Sequence, residues 1–123
     1  KGAMCAGAQI LMKELGVDSV DRVIVAGAFG NYIDKVSALI IGLVPDVPID
    51  RIESVGNAAG VGARIALISR EKRKEANEIA RKVDHIKLAV HPDFEKEFTR
   101  AMYFPHMDRK RYPRHEEVLK MRG

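Results

Sequence analysis

The sequence predicts an α/β layer fold, and three observations predict it. Short β-branched runs alternate with helix-forming stretches, two of those runs end in glycine turns, and an asparagine or aspartate follows each turn where a helix cap is needed. The order reads helix, strand, helix, strand, helix, helix, strand, helix, so about three strands are joined by crossover helices. At 13.7 kDa, a compact chain of this size exposes roughly 6,600 Å², which suits one ordinary domain. Apolar residues make up 46% of the chain, too many for disorder. No uncharged apolar run approaches ~18 residues, so neither a spanning helix nor a membrane partner is expected. Cys5 is the single cysteine, which excludes a disulfide framework and a cysteine-rich metal site. A lone thiol suits a reducing compartment, and a cytoplasmic location is expected.

Each element has a local reason. Gly2 to Leu15 is rich in alanine and long unbranched side chains, has only Gln9, Lys13 and Glu14 as strongly polar members, and stops at Gly16. Arg22 to Ala26 is a continuous β-branched run ending at Gly27, the pattern of a strand buried on both faces. Asp34 caps a helix over Val36 to Ile41 that closes at Gly42. Pro45 and Pro48 make a rigid loop, and Ile52 to Val55 is a second, weaker strand ending at Gly56-Asn57. Asn57 caps a helix from Ala58 to about Ser69 whose only charge is Arg64, and a helix that apolar is expected to be buried. Glu71 to Val83 is amphipathic, with Ala76, Ile79, Ala80 and Val83 on one stripe. His85 to Val90 alternates like a half-buried third strand. Pro92 stands at the first position of a helix through Phe94, Phe98 and Met102, and residues 116–121 are too short for a stable helix alone.

Charge separates the two halves. Residues 1–69 hold six Lys/Arg and seven Asp/Glu, whereas residues 70–123 hold fifteen and ten. The C-terminal excess is interleaved with acids, as in Arg70-Glu71-Lys72-Arg73-Lys74-Glu75, which reads as a solvated helix face with i,i+4 pairs. Without interleaved aromatics it is not a nucleic-acid surface.

Two segments stand out as sites. Val25-Ala26-Gly27-Ala28-Phe29-Gly30-Asn31 runs from a strand through small residues toward a helix, where open α/β sheets bind ligands. Glycines there admit a ligand to the backbone, and a turn that needs positive φ explains them equally. The segment is neither a P-loop nor a G-x-G-x-x-G fingerprint. Val55-Gly56-Asn57-Ala58-Ala59-Gly60-Val61-Gly62-Ala63 repeats the design. Gly60 and Gly62 fall inside a helix at about 1 kcal/mol each, so something is expected to approach closely, whether a ligand or a packed backbone. The four histidines lack the spacing of a helical metal pair, His91 reads as part of a helix-start turn, and Cys5 as a buried inert thiol. No catalytic centre assembles.

Taken together, Val23 to Asp34 (VIVAGAFGNYID), Val55 to Ala63 (VGNAAGVGA) and His91 to Phe98 (HPDFEKEF) resemble the C-terminal part of the reductive activators of corrinoid proteins. The resemblance runs in unbroken order from residue 1 to His106. It implies domain 1–106 as the C-terminal part of an ATPase-like domain and leaves 107–123 as a basic tail. It also implies a small three-layer piece of an actin-like, ribonuclease H-like ATPase of the acetate and sugar kinase, heat-shock 70 and actin superfamily, with helices on both faces of the sheet.

The family resemblance further implies a role. A full-length activator resembles a [2Fe-2S] ferredoxin domain joined to an ATPase-like domain, which spends ATP to return Co(II) corrinoid on a methyltransferase partner to Co(I). Gly27, Ala28, Phe29, Gly30 and Asn31 look like the adenosine motif, with Ala28 where many superfamily members carry a second glycine. Gly56 and Asn57 open a segment that looks like the later glycine-alanine helix of related activators. The phosphate motifs, their Mg²⁺-associated aspartates and the four cluster cysteines do not occur in this sequence. Because the chain opens at Lys1 in helix-forming sequence, it is expected to be part of a longer protein and to have no chemistry of its own. A homodimer is also expected, formed through the apolar first helix or through the later helices. A non-catalytic dimerisation module is the alternative reading.

Overall fold

The computed structural model describes the backbone of residues 1–123 and every side chain except that of Phe29. Helix α1 (Gly2–Glu14) leads to strand β1 (Val23–Val25), helix α2 (Lys35–Ile40), strand β2 (Ile52–Ser54) and the helices α3 (Ala58–Ile68) and α4 (Arg70–Lys82). Helices α5 (Phe94–Ala101) and α6 (His115–Lys120) complete the chain. The α/β class and the first two strands follow the sequence reading.

Capping accounts for the boundaries. Asp34 accepts the Ser37 amide hydrogen at 2.7 Å to start α2, and Asn57 accepts that of Gly60 at 2.9 Å to start α3. Gly16 and Gly42 follow α1 and α2 at φ +67°, the left-handed conformation that relieves helix C-terminal carbonyls. Helix α5 starts at Phe94 with Asp93 as its cap, so Pro92 precedes the helix, two residues ahead of the start, where the sequence reading makes it the first helical residue.

The strands pair in parallel, Val23 with Ile52, Ile24 with Glu53 and Val25 with Ser54. Val23, Val25 and Ile52 face a core built with Ala38, Leu39, Val44, Val47 and Val118. On the opposite face Ile24 is 50% exposed, beside an Arg22–Glu53 pair at 3.7 Å. Helices α2 and α6 therefore cover one face, and the expected burial of β1 on both faces is not reached by these residues alone. A second apolar centre forms where α1 packs along α5, with Cys5, Ala101 and Tyr112 buried together. The segment that the sequence sets apart as a basic tail supplies Tyr112 and Val118 to these two centres.

Two elements depart from the sequence reading. The expected third strand, His85 to Val90, is irregular and ends in a 3₁₀ turn over Leu88–Val90, so the sheet has two strands and not three. Its alternation is met by packing instead of pairing: Leu88 lies against α1 at Gly7, where a Cβ would come within 3.1 Å of its Cδ1. Helix α3, expected to be buried, has no buried residue, and Leu67 and Ile68 are nearly four-fifths exposed. Its main packing partner is α4, with Arg73 donating to the Ala66 and Leu67 carbonyls at 2.8 and 3.2 Å. Every residue of α4 is exposed. This two-helix arm is why the chain exposes 9031 Å² where a compact chain of its mass exposes about 6,600 Å².

Candidate functional site

The parallel register sets the C-terminal ends of β1 and β2 side by side, so the two glycine turns meet. The ladder continues through the Val55 amide to the Val25 carbonyl at 3.1 Å and the Gly27 amide to the Gly56 carbonyl at 2.6 Å. The Ser54 hydroxyl donates to the Gly30 carbonyl at 3.1 Å. Gly56 lies against the Asn31 amide group, which a Cβ would meet at 3.4 Å. The turn from Gly27 to Asn31 and Gly56, which come from separate stretches of the sequence, thus lie side by side at one edge of the sheet. Ala28 is exposed beside them, and the side chain of Phe29 lies outside the described residues. Asn57 is committed to the cap of α3.

The glycines do different work. Gly30 is buried, and a Cβ there would fall 2.7 Å from Val25 Cγ1, so packing alone requires it. Gly27 holds φ +98° and Gly56 φ +61°, conformations that disfavour other residues. At Gly27 a Cβ would meet nothing within 4 Å. The backbone there is open to a molecule from outside. In α3, the close neighbour of Gly60 is its own cap, with Asn57 Nδ2 2.6 Å from a Cβ, and Gly62 has none within 4 Å. The approach expected at both positions is therefore absent from Gly62.

Residues 26–33 and 55–63 carry no charge. The nearest carboxylate along the chain is Asp34, whose bonds from the Ser37 hydroxyl and amide, joined by Arg122 at 3.7 Å, hold its pKa below the ordinary carboxylate value. A neutral turn of small residues can cradle a flat, uncharged group through van der Waals contact and backbone hydrogen bonds. It offers no charged side chain to a phosphate or a metal. Among the described residues, no three His, Cys, Asp or Glu side chains converge as metal ligands.

Sequence reasoning passed over two features. Tyr32, 88% exposed, extends the turn with an unburied aromatic ring, and its signal was its place inside the motif. A separate cleft of about 480 Å³ lies between Lys13, Val17, Asp18, Glu97, Lys110 and Arg111. At its floor Arg111 binds Glu97 at 2.7 Å and Gln9 at 3.0 Å, a meeting of distant residues that no local pattern announces.

Residues 1–116 match the family model described as the C-terminal domain of RACo, the ASKHA domain. The chain belongs to this family. The match reaches beyond His106 to residue 116, which includes the buried Tyr112. Among curated relatives of this ASKHA-domain family, the corrinoid activation enzyme RamQ of Eubacterium limosum is 41% identical over 96 residues. That alignment covers 76% of this chain and 16% of RamQ. Among solved structures, a reductive activator for corrinoid, iron-sulfur protein superposes with a TM-score of 0.80 at 39% identity. It covers 91% of this chain and 18% of that one. The chain thus spans under one-fifth of the length of the relatives it matches.

Proposed function

We propose that this chain is the adenosine-side portion of an ATP-dependent reductive activator, one that returns Co(II) corrinoid on a methyltransferase partner to Co(I). Membership of the ASKHA-domain family and likeness to a corrinoid activation enzyme and a reductive activator support the general role. The observation that carries the nucleotide part is the uncharged turn at Gly27, held at positive φ with open space in front of its backbone. Gly27, Ala28, Asn31 and Gly56 would hold the adenosine end of ATP, with Gly30 packing the turn onto Val25 and Asn57 fixing the start of α3 behind them. Mg²⁺ needs carboxylate or similar oxygen ligands, which these uncharged turns lack, and in this reading an upstream half of the domain would provide them together with the phosphate contacts. An iron–sulfur cluster belongs to a further upstream domain in this reading, and a cytoplasmic setting accompanies it. By itself the chain hydrolyses no ATP.

Calorimetry on the full-length protein tests the nucleotide reading. Gly27→Val places a branched side chain where ligand would lie and adds backbone strain. Gly16→Val, also at a positive φ with open space, adds comparable strain away from the turns. ATP affinity should fall by at least about tenfold in Gly27→Val, roughly 1.4 kcal/mol, and stay unchanged in Gly16→Val. Equal affinities in both folded variants would reject the site in favour of plain packing.

A second reading, a homodimerisation module, rests on the exposed Val61, Ile65, Leu67 and Ile68 of α3. On the first helix, Ile10 is buried within the chain, while Met4, Leu11 and Leu15 are exposed and keep that helix as the other candidate interface. Light scattering of the full-length protein and of Ile68→Glu decides it: a monomer in both removes the reading.

A further inference from the structure

His106 is 1% exposed and sits where four parts of the chain meet. Its Nδ1 accepts the Asp108 amide hydrogen at 3.0 Å, which leaves the ring proton on Nε2. Among the described residues Nε2 has no hydrogen-bond partner. The ring stacks on Tyr112 with centroids 6.2 Å apart. Tyr112 is buried too, its phenol 3.4 Å from both Cys5 Sγ of α1 and the Gly42 carbonyl after α2. Pro105 presses on Gly42 so closely that a Cβ there would collide with its carbonyl. Lys1 Nζ binds the Ala101, Tyr103 and Pro105 carbonyls and so ties the same segment to the start of α1.

From this anchor the chain runs on to α6, which holds α2 by separate and weaker contacts. Val118 enters the core, His115 Nε2 donates to the Ile40 carbonyl at 3.0 Å, and Arg114 faces Asp46 at 3.6 Å. Arg122 reaches Asp34 and Ser37 at the start of α2. Six residues of helix do not persist without such packing.

We propose that residues 105–122 form an acid-released clasp with His106 as its latch: the neutral ring holds the segment against α1 and α2, and protonation frees it. A second proton from solvent can enter only at Nδ1. It would turn the acceptor of the Asp108 amide into a donor and break that bond. The resulting cation would lie in an apolar pocket facing Lys1 and Arg111. Glu97, the nearest carboxylate on α5, is already engaged by Arg111 at 2.7 Å and Arg100 at 3.5 Å, and Asp108 faces Arg111 at 3.6 Å. Tyr112 offers no negative charge, since burial holds the phenol protonated. Burial first, then Arg111, hold the imidazole below its ordinary pKa of 6.5. The released segment binds its proton at higher pH than the docked one, so docking is fully favoured above about pH 6.5 and weakens as pH falls.

Hydrogen exchange read by mass spectrometry on the full-length protein tests the clasp. Between about pH 7.5 and about pH 5.5, after correction for intrinsic exchange, amides 115–122 should lose about tenfold protection. Those of α1 and α5 should hold theirs. His106→Asn keeps an acceptor for the Asp108 amide and does not titrate, so its protection should be independent of pH. His115→Gln keeps the donor to Ile40 and should behave as the parent. A parent that stays protected at the lower pH overturns the proposal, as does His106→Asn with the parent's pH dependence. Should His106→Asn be open at every pH, an NMR titration of His106 in the parent decides: release with the ring's own midpoint supports the latch, and a separate midpoint overturns it.

Discussion

Helices α1 and α3 are both dominated by small and apolar residues, yet the chain treats them oppositely. Helix α1 buries Cys5, Ala6, Gly7 and Ile10, because α5 returns along it and Tyr112 closes over Cys5. Helix α3 buries no residue and packs chiefly on its hairpin partner, whose sequence, REKRKEANEIARK, offers mostly charged groups. Apolar composition sets how much a helix gains from burial. Whether burial happens depends on a second apolar face that the topology can bring to it.

That contrast breaks most sharply with side-chain truncation. Ile10→Ala removes three buried carbons from a packed site and should cost about 2–5 kcal/mol by chemical denaturation. Ile68→Ala, 79% exposed, should stay within about 0.5 kcal/mol in this chain. Repeating the pair in the full-length protein sharpens the comparison. An Ile68→Ala cost approaching that of Ile10→Ala would mean that the longer protein covers α3.

A smaller effect separates α3's packing from its propensity. Gly62 lies in the helix with nothing within 4 Å of its missing Cβ, so Gly62→Ala should stabilise this chain by about 0.5–1 kcal/mol. Destabilisation by the same change in the full-length protein would reveal a close neighbour there.

The smallest effect lies at the start of α2, in the covered part of the molecule. Asp34 is held below its ordinary pKa by Ser37 and then by Arg122. Its contribution is therefore present above about pH 4 and lost as pH falls through its lowered folded value. Asp34→Asn should flatten the acid limb of the stability curve below about pH 4, measured by thermal unfolding. An unchanged acid limb would show that other carboxylates govern it.

Local chemistry determined much of this protein from the sequence alone. The positions of α1 to α4, the caps Asp34 and Asn57, and the glycine stops at Gly16 and Gly42 rest on interactions within four or five residues, which any reader of the chain can find. The motifs at Val25 to Asn31 and Val55 to Ala63 were legible for the same reason, while the family was legible through the resemblance that they and His91 to Phe98 carry together. Tertiary structure decided the rest. The alternation of His85 to Val90 describes a strand only if a neighbour offers a ladder, and α1 offered Leu88 an apolar surface instead. Gly27 and Gly30 look alike in sequence, but the fold packs Val25 against one and leaves space before the other. The third decision concerns His106, which no periodicity marks. Its burial follows from the chain's return past Gly42 and Cys5, contacts that span tens of residues and exist only once the helices have docked.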